Sequence, residues 1–109
     1  MMAPRFGLAI VAVPRDAAED IARRIVESRL AACAQVTSEV TSIYWWKGRM
    51  EQASERLVIL KTEKSRVGRI RDQLRTMHPY EVPELVFLPI TAGNPDYLEW
   101  LADVIFKKI

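Results

Sequence analysis

The residues best suited to chemistry in this 109-residue chain crowd into one stretch. Met77-His78-Pro79-Tyr80-Glu81-Val82-Pro83-Glu84 holds the only histidine, a tyrosine, two carboxylates and two of the six prolines. Pro79 disfavours helical geometry at His78, and Pro83 keeps Val82 extended. Both also reduce the freedom of the unfolded chain. An imidazole, a phenol and carboxylates held at fixed positions could ligate a metal or hydrogen-bond a small polar molecule. Two readings stay open: a rigid helix-to-strand connector, or a connector that forms part of a binding site.

The elements that position this stretch follow from hydrophobic periodicity. Leu8 to Val13 is short and continuously apolar, so it reads as a buried strand, closed by Pro14. Asp16 and Glu19 have capping-box spacing and predict a helix over residues 16–30. Its apolar stripe is Ala18, Ile21, Ala22, Ile25, Val26 and Leu30. Residues 31–46 form the first arm of a hairpin, Lys47-Gly48 the turn, and residues 49–62 the return arm. Ser65 is the expected N-cap of a second helix, striped by Val67, Ile70, Leu74 and Met77. Its other faces carry Arg66, Arg69, Arg71 and Arg75, a solvated basic surface. Leu85 to Leu88 is the fourth strand. Asn94 caps a third helix with Pro95 at its first position. Lys107 and Lys108 suit the C-terminal end of that helix.

The order is βαββαβ followed by a helix. Right-handed crossovers and a central hairpin make this an α+β, ferredoxin-like sandwich of one domain, residues 1–109. Half the residues are apolar, enough for a core. A net charge of +2, from 16 basic and 14 acidic residues, announces neither nucleic acid nor a membrane as partner. A single cysteine rules out an intrachain disulfide framework. The first apolar run is too short for a signal peptide or a membrane span. The expectation is a soluble, cytoplasmic protein.

The hairpin arms, about 13 to 15 residues each, exceed the usual strand length of about 5–6. Their distal half overhangs the sheet and carries Tyr44, Trp45 and Trp46. A bare two-stranded ribbon is only marginally stable, and so much exposed apolar surface calls for a partner. The expected partner is another copy of the chain, with Tyr44, Trp45 and Trp46 at the interface. The competing arrangement folds the third helix over the overhang.

A series of short motifs in this sequence resembles the CutA divalent-cation-tolerance family. They are Ala32-Cys33, Ser42-Ile43-Tyr44-x-Trp46-x-Gly48, Glu55, Lys61-Thr62, His78-Pro79-Tyr80-x-x-Pro83-Glu84, Pro89-Ile90, Gly93 and Tyr97-Leu98-x-Trp100-Leu101. The series runs over nearly the whole chain. The resemblance implies a ferredoxin-like fold and a homotrimer whose hairpins wrap around neighbouring subunits. It implies copper or other divalent-metal tolerance, metal binding in some members, and no established enzymatic activity. The trimer it implies looks like that of the PII signalling proteins, which bind small ligands in clefts between subunits. No cofactor is required, although copper or another divalent metal is a candidate ligand.

Two positions depart from relatives associated with copper. Val11 falls about where those relatives have a cysteine, and Met77 replaces the first of a histidine pair. Copper(I) favours sulfur and imidazole, which leaves His78 and Cys33 as candidate ligands. Met77 reads better as the end of the helical stripe, and Cys33 as a buried thiol. Ser38 stands where many members have a proline that bends the long strand, so the bend is either weaker here or made by a bulge.

Lys61, His78, Tyr80, Glu84 and a neighbour's Trp46 would together form a cleft for a small polar or anionic ligand. In the competing reading Lys61 and Glu84 simply pair. The chain has no second histidine for a Ser-His-Asp set, no phosphate-binding glycine loop and no zinc-ligand spacing. RNA recognition on this fold wants stacking aromatics on the central strands. Here they crowd the hairpin tip and the last helix.

Overall fold

The computed structural model describes residues 5–109. β1 (Phe6–Pro14) places Ala9, Val11 and Val13 on one face and Leu8, Ile10 and Ala12 on the other. A turn closed by the Ala17 N–H on the Pro14 carbonyl (3.0 Å) leads into α1 (Ala18–Glu27). That turn takes up Asp16, which therefore does not cap the helix. Ala17 holds the cap position with no side-chain bond, and Asp16 lies beside Arg15 at the surface. α1 also stops three residues short of Leu30. The Arg29 N–H bonds the Val26 carbonyl and the Leu30 N–H bonds that of Ile25, a pairing that ends helices. Arg29 takes a positive φ of 62° there, at a cost on the order of 1 kcal/mol for a non-glycine residue. Its guanidinium donates to the carbonyls of Val104 (3.3 Å) and Ile109 (2.5 Å), tying the chain end to this helix.

β2 (Cys33–Trp46) and β3 (Arg49–Glu63) form the long hairpin. Lys47 and Gly48 both have positive φ, 51° and 77°, as a tight turn matched to strand twist requires. β3 runs one residue beyond the expected Thr62, and that residue takes over the cap expected of Ser65. The Glu63 carboxylate accepts the Ser65 N–H (2.7 Å) and the Arg5 N–H (3.1 Å). A charged acceptor makes the stronger bond, so Ser65 becomes the donor inside a short 3₁₀ turn, Lys64–Arg66. α2 (Val67–Met77) follows, then β4 (Val86–Pro89) and α3 (Pro95–Ala102). Asn94 caps α3 as expected, accepting the Asp96 N–H at 3.1 Å. A wider helical turn, Asp103–Lys107, completes the chain's last helical segment.

The four strands form an antiparallel sheet in the order β2-β3-β1-β4, the ferredoxin-like arrangement. α1 and α2 cover one face. Their residues Ile21, Ile25, Ile70 and Leu74 pack on Ala9, Val11, Val58 and Leu60 in one closed core, and Met77 joins its edge. Gly7 has no room for a side chain: a Cβ would come within 2.4 Å of the Leu88 carbonyl oxygen and the Phe87 ring.

The opposite face carries Leu8, Ile10, Leu57 and Ile59, all half-buried, beside Val86 and Leu88, each 47% exposed. α3 covers only its Phe6 end, where Leu101 and Ile105 pack with Phe6 and Ala32. The hairpin tip lies at the other end of the sheet, so α3 does not fold over the overhang. β1 pairs with β3 only as far as Glu55. Beyond it, residues 41–46 pair with residues 49–54 as a ribbon of six rungs, about 20 Å long. This ribbon accounts for the 46 Å long axis of a chain that is 25 Å across.

A bulge breaks the β2–β3 register between Val36 and Glu39, where Thr37 and Ser38 oppose Leu57 alone. The Thr37 hydroxyl accepts the Leu57 N–H (2.9 Å), and Arg56 Nε donates to the Thr37 carbonyl (2.8 Å). The bend at Ser38 is therefore made by a bulge, one of the two routes expected.

Candidate functional site

His78 ends α2 because Pro79 forbids another helical residue. It is extended (φ −83°, ψ 131°), yet its N–H still bonds the Leu74 carbonyl at 2.8 Å. The imidazole is buried. Nε2 lies 2.9 Å from the Ala12 carbonyl oxygen, and Nδ1 accepts the Tyr80 N–H at 3.1 Å. A carbonyl can only accept and an amide N–H can only donate, so Nε2 carries the proton and Nδ1 the lone pair. Both nitrogens are engaged, and the ring acts as a peg that fixes the connector to β1.

Tyr80 leans on that peg, with ring centroids 4.7 Å apart. Its hydroxyl meets the carboxylate of Glu55, a β3 residue only 4% exposed. Burial, then the hydrogen bond and charge of Glu55, push the Tyr80 phenol up to about 12. Tyr80 therefore stays a neutral donor throughout the physiological range.

Between this chain of contacts and the ribbon lies a cleft of about 640 Å³. Ala12, Leu57 and Glu55 form its floor; Tyr44 and Trp46 line it from the ribbon, and Tyr80, Glu81 and Glu84 from the connector. That volume is in the range of small-molecule sites. At its mouth Lys47 Nζ sits 3.7 Å from Glu81 Oε2 and 5.6 Å from the centroid of the Trp46 ring.

The structure brings together only part of the expected cleft. Tyr80, Glu84 and Trp46 line it, and Trp46 does so from within the same chain. His78 lies behind Tyr80 as its support. Lys61 is six residues along β3 from Glu55, about 20 Å away, and bonds Gln35 Oε1 at 2.7 Å. It therefore does not pair with Glu84 within the chain. Trp45 points away from Tyr44 and Trp46 and is 73% exposed. Cys33 pairs in register with Lys61, and its Sγ is 3.7 Å from the Tyr97 hydroxyl. It lies two strands across from β1 and level with Leu8, four residues from the His78 contact at Ala12, a separation of about 16 Å.

Glu55 belongs to the motif series but is not among the residues expected in the cleft. A signal for it exists in the sequence. Glu55 shares the alternation of Ala53, Leu57 and Ile59, so it is a carboxylate whose nearest neighbours on that strand face are apolar. Such a group needs a partner or a ligand.

The metal reading meets a different geometry. His78 has no free nitrogen, Cys33 is remote from it, and among the described residues no three His, Cys, Asp or Glu side chains gather closely enough to hold a metal ion. The residues of a single chain therefore do not fit a metal centre. Also among the described residues, no helix is long and apolar enough to cross a membrane.

Residues 8–104 match the model of the CutA1 divalent ion tolerance protein family. A Xenopus laevis protein called protein CutA homolog is 48% identical over 98 residues, covering 89% of this chain and 65% of that protein. This chain thus spans less than two thirds of that vertebrate relative. The divalent-cation tolerance protein CutA of Thermus thermophilus is 40% identical over 86% of this chain and 92% of its own length. A solved structure of the Thermus thermophilus protein superposes with a TM-score of 0.85 at 39% identity, covering 88% of this chain and 94% of that one. A structure from Archaeoglobus fulgidus, called the periplasmic divalent cation tolerance protein CutA, gives a TM-score of 0.87 at 32% identity, covering 92% and 98%. The open sheet with its overhanging hairpin and the ordered motifs from Ala32 to Leu101 thus have one account: this chain belongs to the CutA1 divalent ion tolerance family.

Proposed function

We propose that this protein serves divalent-cation tolerance as a homotrimer that binds rather than catalyses, and that its own affinity for copper or a similar metal is weak. The observation that carries the assembly is the apolar sheet face of Leu8, Ile10, Leu57 and Ile59, continued by Val86 and Leu88. Among the described residues no helix or strand covers it beyond the Phe6 end. Tyr44, Trp45 and Trp46 extend that surface along the ribbon and are the proposed interface residues. Family membership supports the tolerance role and the number three.

His78 and Cys33 remain the ligands of the metal proposal. Binding at His78 costs at least one of its two hydrogen bonds, which supports low affinity. The same engagement of both nitrogens argues against a general base at His78. The proposed compartment is the cytoplasm, where a lone thiol stays reduced. Cell fractionation tests that, since the Archaeoglobus relative is called periplasmic.

A second reading adds a small-ligand site in the cleft. It rests on the cleft's volume and on Glu55 at its floor. Sedimentation at micromolar concentration tests the assembly. The expected species has three times the 12.5 kDa chain mass, and a folded 12.5 kDa species refutes it. Copper titration by calorimetry tests the metal. His78→Ala is expected to bind more weakly than the parent, and equal binding moves the metal to Cys33.

A further inference from the structure

The basic residues of the chain are not evenly spread. Residues 64–77 hold five lysines and arginines and one aspartate, a net +4 within a chain of +2, so the remainder is net −2. The exposed positions of α2 are Gly68, Arg69, Arg71, Asp72, Arg75 and Thr76. They lie away from Ile70 and Leu74, which pack in the core between helices and sheet. This surface is therefore on the other side of the molecule from the open sheet face and its proposed contacts between copies.

Two features of the surface oppose the stability of the helix and are not required by its packing. Gly68 sits in the first turn of α2, where glycine is a poor helix former. A Cβ there would meet no atom within 4 Å, and its φ is not positive, so neither space nor conformation calls for glycine. Arg69 faces the positive end of the helix dipole in a first turn that has no acid. Arg71 and Arg75 are like charges one turn apart. Asp72 offsets them from 3.5 Å and 3.8 Å, but these pairs are exposed and loosely held. Residue choices that work against the local fold mark surfaces kept for a partner.

The arrangement defines that partner. Bare backbone at Gly68, with Arg71 one turn on and Arg75 two turns on, lets a second chain lie close to the helix. Guanidinium forks pair with carboxylates in a bidentate way. α2 offers no aromatic ring for bases to stack on, and it exposes no apolar side chain that could enter a bilayer. Asp72 repels an unbroken row of phosphates, whereas a peptide can set an uncharged residue opposite it.

We propose that the outer surface of α2 docks an acidic peptide segment of another protein. The segment passes over Gly68, and its carboxylates pair with Arg69, Arg71 and Arg75.

The test is fluorescence anisotropy of the full chain with a labelled peptide of alternating glutamate and serine. It is run at physiological ionic strength, where charges more than about 8 Å apart are largely screened. Arg71→Gln with Arg75→Gln is expected to weaken peptide binding about tenfold or more. Arg15→Gln with Arg24→Gln removes the same charge from exposed ion pairs outside α2 and is expected to change binding by less than about twofold. Gly68→Gln is expected to raise the thermal midpoint and yet weaken the peptide about fivefold. Neither a purely structural glycine nor general charge attraction produces that opposition. The α2 double variant is expected to keep the parent's sedimenting mass.

Equal weakening by the two double variants overturns the proposal, as does unchanged peptide affinity in Gly68→Gln or the absence of peptide binding. Tighter binding of duplex DNA than of the peptide would assign the surface to nucleic acid and overturn it. Tighter binding of vesicles of one part phosphatidylserine to three parts phosphatidylcholine would do the same for a membrane. A changed sedimenting mass in the α2 double variant would place α2 between subunits and also overturn it.

Discussion

Leu60 and Ile59 are neighbours in β3, similar in size, and face opposite ways. Leu60 is fully buried under α1 and α2. Ile59 belongs to a face on which Val86 and Leu88 remain 47% exposed. Both faces of one sheet carry large apolar side chains, yet among the described residues helices cover the length of only one of them. Apolar composition thus tells which surfaces leave water, and chain topology tells which of them the chain itself can cover.

The sharpest way to break this comparison is to charge the open face. Ile59→Asp is expected to abolish assembly and leave a monomer by sedimentation, because an unpaired carboxylate between subunits costs on the order of 5 kcal/mol. Retention of the assembled mass would place the open face outside the interface. On the covered face, Leu60→Ala is expected to cost about 3 kcal/mol by chemical denaturation. Its effect should not depend on protein concentration, whereas that of Ile59→Asp should.

On the ribbon, Trp45→Ala is expected to weaken association by about 2 kcal/mol, read from the concentration at which the assembly dissociates. An unchanged dissociation constant would remove Trp45 from the interface.

The smallest effect belongs to the cap at the end of β3. Burial raises the pKa of Glu63. The bonds from Ser65 and the Arg5 N–H and the nearby Arg66 charge outweigh burial, so the carboxyl ends below its usual 4.5. The unfolded chain then binds the proton more readily, and the stabilisation is present above about pH 4.5 and fades as pH falls through the lower folded value. Glu63→Gln should flatten the parent's loss of stability between neutral and strongly acidic pH. An unchanged acid slope would show that Glu63 is not its source.

The sequence made the alternating strands legible, along with the Lys47-Gly48 turn and the Asn94-Pro95 start of α3, because each depends on residues a few positions apart. Asp16 and Ser65 misled for the same local reason. Each has the composition of a cap, but a turn at Pro14 and the longer reach of β3 decided otherwise. At the site, Tyr80 and Glu84 could be read from the stiff connector. Lys61 could not be placed, because periodicity gives a residue's face and not its distance from a connector 17 or more positions later. Glu55 stood in the motif series but could not be assigned to the cleft, because its place there comes from a long-range meeting with Tyr80.

The bulge at Thr37 and Ser38 acts as a phase switch. Before it, the odd-numbered residues Cys33 and Gln35 share the face of Ile59 and Lys61. After it, the even-numbered Val40, Ser42, Tyr44 and Trp46 do so. If the same residues ran on with no bulge, strand parity would carry on unbroken, presenting Ile43 and Trp45 on that side and turning Tyr44 and Trp46 away. The chemical character of the cleft wall thus depends on a bulge several residues upstream. A one-residue deletion there would straighten the strand and still leave Tyr44 and Trp46 on the cleft side, so the bulge absorbs one residue of chain length without disturbing the wall.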